Sequence, residues 1–154
     1  MARYNKIFAA LDGGATQEAV ARRTLSIAHD NNAEVLFGHI IDSVPYEANG
    51  IDFAALTEDG HQRIEEELSA YFTRARADEC IPSVELRVRA GRVAETLIET
   101  LIKPYNPDLV ICGVRGLSNI KYAFVGSVST NLIRNVECDV LVVRPETLEA
   151  HPQD

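Results

Sequence analysis

Short apolar runs alternate with segments of helical periodicity along this sequence, and that alternation restricts the possible folds more than any other feature. Five runs have the length and apolar content of strands: Ile7–Leu11, Glu34–Ile41, Val84–Val88, Leu109–Cys112 and Val140–Val143. Apolar residues at helical spacing lie between consecutive runs. The resulting βαβαβαβαβ order predicts an α/β fold, in which a five-stranded parallel sheet lies between two layers of helices as a Rossmann-like αβα sandwich.

Local signals predict where the helices begin and end. Thr16 is suited to cap the first helix, and Asn31-Asn32 is suited to end it. The stretch 42–60 contains a proline and two glycines, so we expect a long loop there. The next helix follows that loop. Pro104 and Pro107 predict the end of the third helix, and the fourth helix is expected to begin near Ser127.

Length and charge restrict the class of protein. With 154 residues, the chain fits one domain, which we expect to span residues 1–145, with a flexible tail at 146–154. The formal net charge of -8 argues against a nucleic-acid or anionic-membrane partner. No apolar run approaches the roughly 20 residues of a membrane helix. The first residues lack the apolar core of a signal peptide, so a cytoplasmic location is expected.

Cysteines and histidines give no metal or disulfide pattern in the sequence. Cys80, Cys112 and Cys138 are odd in number and widely spaced, so neither a disulfide framework nor a C-x-x-C site is predicted. The four histidines have no ligand spacing, so no metal site is assigned. His39 lies within an apolar strand and is expected to be a packed or hydrogen-bonded core residue.

Glycines mark the ends of two predicted strands, and in parallel sheets ligands bind beyond such ends. Asp12-Gly13-Gly14 follows the first strand, and Gly113 ends the fourth. After Gly113, a second glycine comes at Gly116 and a third, Gly126, precedes Ser127 at the start of a helix. Backbone N–H groups at a helix start, with glycines that allow close approach, suit a polyphosphate. The plainer alternative is a turn followed by an ordinary helix start.

The spacing of these glycines resembles the nucleotide-binding motif of the universal stress protein family. The segments 108–113 and 138–145, and the start of the chain at 6–13, also resemble that family. The resemblance extends from about residue 4 to residue 145, and it implies a fold like that of the adenine nucleotide alpha hydrolases.

The resemblance also implies roles for matching residues. Asp12, beside Gly13, would contact the adenosine portion, and Ile40 would line the adenine pocket through its backbone. Ribose and phosphates would meet three residues of the motif: Gly113, Arg115 and Gly116. Phosphate at the helix start would meet the remaining four: Gly126, Ser127, Val128 and Ser129. No catalytic residue is assigned. Two positions depart from common family usage, because Gly14 and Val114 stand where serine or threonine is frequent.

The function that the resemblance implies is adenine-nucleotide binding, with ATP as the first candidate and Mg²⁺ possible through its phosphates. The expected role is regulation of stress survival rather than catalysis. Slow ATP hydrolysis, a preference for AMP or cyclic AMP, and a ligand-free interaction module stay open as alternatives. The resemblance also implies a homodimer, and pairing of the last strand, Val140–Val143, with its own copy would cover an exposed edge.

Overall fold

The computed structural model describes residues 4–114 and 127–144, and of Ser127 the backbone alone. Five strands form one sheet: β1 Lys6–Ala10, β2 Glu34–Asp42, β3 Val84–Gly91, β4 Leu109–Gly113 and β5 Asp139–Val143. Their order is β3-β2-β1-β4-β5, and every neighbouring pair is parallel. The predicted five-stranded parallel sheet is confirmed. The predicted tail at 146–154 lies outside the described residues.

Helices cover both faces of the sheet. The α-helices of the described residues are α1 Gln17–Asn31, α2 Phe53–Glu67, α3 Ser69–Ala77, α4 Val93–Thr96, α5 Lys103–Tyr105 and α6 Ser127–Asn135. A 3₁₀ turn at Val44–Tyr46 follows β2, and a π-helical segment at Leu97–Ile102 joins α4 to α5. None of the helices within these residues is long and apolar enough to cross a membrane.

Two apolar clusters occupy the two faces of the sheet, as a three-layer sandwich requires. One cluster joins the sheet to α1, α2 and α3, and the other joins it to the π-helical segment and α6. Gly38 of β2 lies where the sheet and the π-helical segment pack closely on the second face. A Cβ atom there would overlap the ring of Phe8 and lie 3.0 Å from Leu101. The absence of a side chain at Gly38 therefore allows the π-helical segment to pack directly on β1 and β2.

Helix α1 begins and ends at the residues that the sequence predicts. Thr16 is the N-cap residue, but its hydroxyl donates to Asp12 and makes no capping bond. At the other end, Asn32 adopts the left-handed conformation with φ 54, and its N–H donates to carbonyls of the last turn. The predicted stop at Asn31-Asn32 is confirmed because asparagine tolerates that conformation better than most residues.

The predicted loop at 42–60 is wrong over its second half. Helix α2 begins at Phe53, because the carboxylate of Asp52 accepts bonds from the N–H groups of Ala54 and Ala55 and so caps the helix. Gly60 is not a loop residue. It is buried in α2, and a Cβ atom there would lie 2.7 Å from Cδ1 of Ile41, so the glycine allows α2 to approach β2.

The third predicted helix ends between Pro104 and Pro107, the two prolines expected to stop it, and Pro104 itself lies in its last turn. The helix widens into the π-helical segment before the proline, continues through it, and ends at Asn106, which is left-handed with φ 56. Proline is tolerated there because it stands in the first turn of α5, and a widened turn accommodates a missing N–H.

A charged pair joins the last turn of α1 to the end of α3. Nδ1 of His29 lies 2.7 Å from Oδ2 of Asp78. The hydrogen bond to Asp78 and the charge of that carboxylate raise the pKa of His29 above its ordinary value. The same hydrogen bond, followed by one from the N–H of Cys80, lowers the pKa of Asp78.

The contribution of this pair to stability should depend on pH. The contribution of His29 to the free energy of unfolding is fully present below the ordinary histidine pKa of 6.5. It is lost as pH rises through the raised pKa of the folded state. The contribution of Asp78 is fully present above the ordinary aspartate pKa of 3.8. It is lost as pH falls through the lowered pKa of the folded state. We expect the coupling in a His29→Gln and Asp78→Asn double-mutant cycle, measured by urea unfolding in EDTA, to be largest between these values. A coupling that is flat from pH 4 to pH 9 would contradict the assignment.

Candidate functional site

A cavity of about 710 Å³ opens at the carboxyl edge of the sheet. It lies where the strand order reverses, since β1 continues along the chain to β2 on one side but pairs with β4 on the other. This is the position where open α/β sheets bind ligands, and the volume is within the range of small-molecule sites.

Five of the predicted site residues line this one cavity: Asp12, Ile40, Gly113, Val128 and Ser129. They come from the turn after β1 and from β2, β4 and α6, so the fold brings together what the sequence separates. Gly13 adjoins the cavity beside Asp12. Three other predicted residues, Arg115, Gly116 and Gly126, lie outside the described part of the chain. Of Ser127 the structure gives the backbone, which begins α6.

Asp12 organises the turn between β1 and α1. Its Oδ1 accepts a bond from the N–H of Gly14 at 2.8 Å, and its Oδ2 accepts one from the hydroxyl of Thr16 at 3.0 Å. A carboxylate has about four acceptor positions, so each oxygen keeps capacity for a further donor. Asp12 is exposed to the cavity and can accept from a ligand hydroxyl without breaking the turn.

His39 is buried in β2, and its Nδ1 lies 2.8 Å from the carbonyl oxygen of Leu11. The prediction of a hydrogen-bonded core histidine is confirmed. Because a carbonyl oxygen can only accept, Nδ1 carries a proton and donates it to Leu11. The ring also forms part of the cavity wall, which the sequence did not reveal. The imidazole of His39 therefore gives the cavity a second polar side chain beside that of Asp12.

Gly13 leaves space beside that ring. Its φ is +75, and a Cβ atom there would lie 3.3 Å from Cε1 of His39. Both the backbone conformation and the contact favour glycine. Gly14 has an ordinary φ, and a Cβ atom there would make normal contact with Asp12 at 3.6 Å.

One wall of the cavity is apolar. Ile40 and Leu97 are buried, and Val93 and Val128 pack against them from two helices. This wall is continuous with the core on the second face of the sheet. It can receive a flat apolar group such as a purine ring, while Asp12 and His39 add polar side chains to the same cavity.

The first turn of α6 forms another wall. N–H groups in the first turn of a helix have no partner within the helix and carry partial positive charge. The hydroxyl of Ser129 is buried and lies 3.4 Å from the carbonyl oxygen of Gly113, to which it donates. Burial raises the pKa of the nearby Cys112 thiol, 3.6 Å from the Ser129 oxygen, so this cysteine stays a neutral wall residue.

Several lining residues could not be found from the sequence. Val44, Pro45 and Tyr46 come from the 3₁₀ turn after β2, and Arg63 and Arg92 come from α2 and the start of α4. Arg92 also pairs with Glu47, with the two atoms 3.5 Å apart. The loop-rich composition of 42–60 was the only signal, and it does not indicate which residues face the cavity.

The pattern of the Universal stress protein family matches residues 3–144. The chain belongs to the universal stress protein family.

Relatives of this universal stress protein agree in length and fold. One from Staphylococcus aureus strain USA300, itself named a universal stress protein, is 33% identical over 150 residues, covering 97% of this chain and 90% of the relative. The structure of universal stress protein UspA from Lactobacillus plantarum matches with a TM-score of 0.73 at 20% identity, over 94% of this chain and all of that one. A universal stress protein in complex with cyclic AMP matches with a TM-score of 0.64 at 25% identity, over 93% and 98% of the two chains.

The structure gives packing reasons for two positions in the family motif. A Cβ atom at Gly113 would lie 2.8 Å from Oγ1 of Thr16 and 3.2 Å from Cγ2 of Val20, so glycine is needed there for α1 to approach β4. Val114, where serine or threonine is frequent in this family, is buried, and its N–H donates to the carbonyl of Val143. A valine at this position adds to the core beside β5.

Replacing Gly13 with alanine should destabilise this universal stress protein and displace the His39 ring. Left-handed backbone costs a residue other than glycine about 1–2 kcal/mol, and the added methyl group would press on Cε1. Urea unfolding gives the stability, and the ¹⁵N shifts of His39 report the ring. Gly14→Ala is the matched control, with a change near zero. Equal effects of the two substitutions would show that the Gly13 conformation is unimportant.

Proposed function

We propose that this universal stress protein binds an adenine nucleotide, ATP in the first instance, in the cavity at the carboxyl edge of its sheet. The observation that carries the proposal is the shared lining of one cavity by Asp12, Ile40, Gly113, Val128 and Ser129. In this proposal the protein is a regulatory nucleotide binder of the cytoplasm, folded as one domain over residues 1–145, and has no catalytic residue.

The apolar wall suits the adenine ring. Ile40, Val93, Leu97 and Val128 offer side chains to its faces, and burial there removes apolar surface from water. Asp12 faces the same space and would accept from a ribose hydroxyl. This assignment leaves the β4 side of the cavity for the phosphates.

The phosphates would meet the start of α6. The N–H groups of Val128 and Ser129 lie in its first turn, where the helix favours an anion. The motif residues Arg115, Gly116 and Gly126 would complete that contact, with the backbone of Ser127. A Mg²⁺ ion would be held through the phosphate oxygens, so the proposal assigns no protein ligand to it.

The number of phosphates is a second question within this proposal. The relative solved with cyclic AMP makes that nucleotide a specific competitor to ATP. AMP shares the adenosine contacts but has less charge for α6. Slow ATP hydrolysis and a ligand-free interaction module are the remaining alternatives, and both are outcomes of the experiment below.

A thermal-melting series with ATP-Mg²⁺, AMP and cyclic AMP tests the proposal. A ligand at about 100 times its Kd should raise Tm by about 5–10 °C, since it adds roughly 2.7 kcal/mol of stability. Val128→Glu should abolish the shift by placing a carboxylate in the apolar wall that receives the adenine ring, and Gly126→Val should abolish it by filling the motif. Asn135→Asp adds the same charge at the far end of α6 and should keep the full shift.

Calorimetry and phosphate release complete this test. The nucleotide with the lowest Kd is the preferred ligand, and phosphate release that is lost in Gly126→Val would indicate hydrolysis. If nucleotide-free protein melts at the same temperature with all three ligands, the proposal fails and the interaction-module alternative is favoured.

We also propose a homodimer formed by strand β5, Asp139–Val143. In the described sheet β5 lies at an edge, with β4 on its inner side. Val140, Leu141 and Val142 are only partly buried there, and Ile133 on the preceding helix is 53% exposed. An apolar edge of this kind is covered when it meets its own copy.

Ile133→Glu should weaken this dimer because it places a charge on the exposed apolar residue of the helix that precedes β5. Sedimentation velocity at micromolar concentration should show a shift from dimer toward monomer. Val44→Glu is the control, since Val44 is 49% exposed but lies far along the sheet at the end of β2. A wild-type protein that sediments as a monomer would remove the dimer from the proposal.

A further inference from the structure

Three metal-binding side chains meet at the amino edge of the sheet, opposite the cavity. His29 lies in the last turn of α1, Asp78 follows α3, and Cys80 lies two residues further on. Their candidate ligand atoms all lie within 4.8 Å of one another. Residues 29 and 78 are far apart in sequence, so the fold brings this cluster together.

The carboxylate of Asp78 is held in position for both neighbours. Its Oδ1 accepts the N–H of Cys80 at 2.8 Å, and its Oδ2 lies 2.7 Å from Nδ1 of His29. The carbonyl of Asp78 accepts from the N–H of Ile81, which closes the turn. Hydrogen bonds that orient ligand groups in this way are typical of the surroundings of metal sites.

The combination of donors selects a class of metal. Imidazole nitrogen, carboxylate oxygen and thiolate sulfur together suit zinc and the similar divalent ions, whereas Mg²⁺ and Ca²⁺ prefer oxygen alone. Three protein ligands leave one tetrahedral position for water. All three cysteines are free, so the sulfur of Cys80 is available.

The distances need only side-chain rotation to fit such an ion. Bonds of about 2.0–2.3 Å in a tetrahedron separate ligand atoms by roughly 3.3–3.8 Å. The His29–Asp78 distance of 2.7 Å must open, and the widest separation of up to 4.8 Å must close by about 1 Å. The side chain of His29 is 53% exposed and that of Asp78 is 23% exposed, so both can adjust and water can enter.

We propose that His29, Asp78 and Cys80 bind one zinc-class divalent ion, with water as the fourth ligand. Binding forms Nδ1–metal, O–metal and S–metal bonds without any change of oxidation state. The thiol proton of Cys80 passes to solvent, and the Nδ1 proton that faces Asp78 also leaves for solvent or, in the neutral ring, is replaced by one on Nε2. The ion would tie the end of α1 to the turn before β3. Because the site lies at the opposite edge from the cavity, it is independent of the nucleotide proposal.

Titration of reduced, EDTA-treated protein with Co²⁺ tests the site. We expect one equivalent to produce the thiolate-to-cobalt charge-transfer band and the strong visible bands of tetrahedral cobalt, and Zn²⁺ to displace them. Cys80→Ser should remove the charge-transfer band. His29→Gln should weaken Co²⁺ binding at least about tenfold, since loss of an outer partner alone costs that much. Cys138→Ser is the matched control and should keep both signals.

Amide NMR of the wild-type protein with Zn²⁺ makes the test independent of how the variants fold. Shifts confined to the end of α1 and the turn at 78–81 would support the site. Absence of any charge-transfer band, or a band that survives Cys80→Ser, would overturn it. Unchanged nucleotide-induced melting shifts in Cys80→Ser are expected in every case, which separates failure of this site from failure of the nucleotide proposal.

Discussion

The hydrogen-bonded ladders on the two sides of β1 are the constraint on which the rest of the structure depends. Ile7 pairs with Val35 of β2 on one side and with Leu109 of β4 on the other. Because β2 and β4 flank the same strand, the connections after β1 and β4 diverge to opposite faces and leave the cavity between them. Close packing at Gly38 and Gly113 keeps the helices on each face near enough to exclude water from the ladders.

The strands could be predicted because burial on both faces leaves a strong signal in sequence. Parallel strands covered by helices are continuous apolar runs, and Leu109–Gly113 shows this most clearly. The prediction that Asp12 and Gly113 face one site followed from the same rule, since both end strands that point to one edge. The roles of Arg115, Gly116 and Gly126 stay predictions, because those residues lie outside the described structure.

The limits of the sequence analysis come from glycine and proline, because each occurs both inside helices and in the segments that end them. Gly60 was interpreted as a loop residue, although it is a packing glycine where α2 crosses Ile41. Pro104 and Pro107 were interpreted together as the helix stop. The helix ends between them, because a π-helical segment before Pro104 absorbs the missing N–H and lets the helix continue to Tyr105. In both cases the deciding fact is a neighbour distant in sequence or a local widening of the helix. Neither of these facts can be predicted from residue type and spacing alone.

The topological rule that predicted the cavity also applies to the opposite edge of the sheet. Segments that precede neighbouring parallel strands must meet at the amino edge, just as segments that follow them meet at the carboxyl edge. His29 lies shortly before β2, Asp78 and Cys80 lie shortly before β3, and these two strands are neighbours. The cluster was thus invisible to a search for ligand spacing along the chain, but it follows once the strand order is known. Spacing in an α/β protein is therefore better measured from the strand ends than from residue to residue.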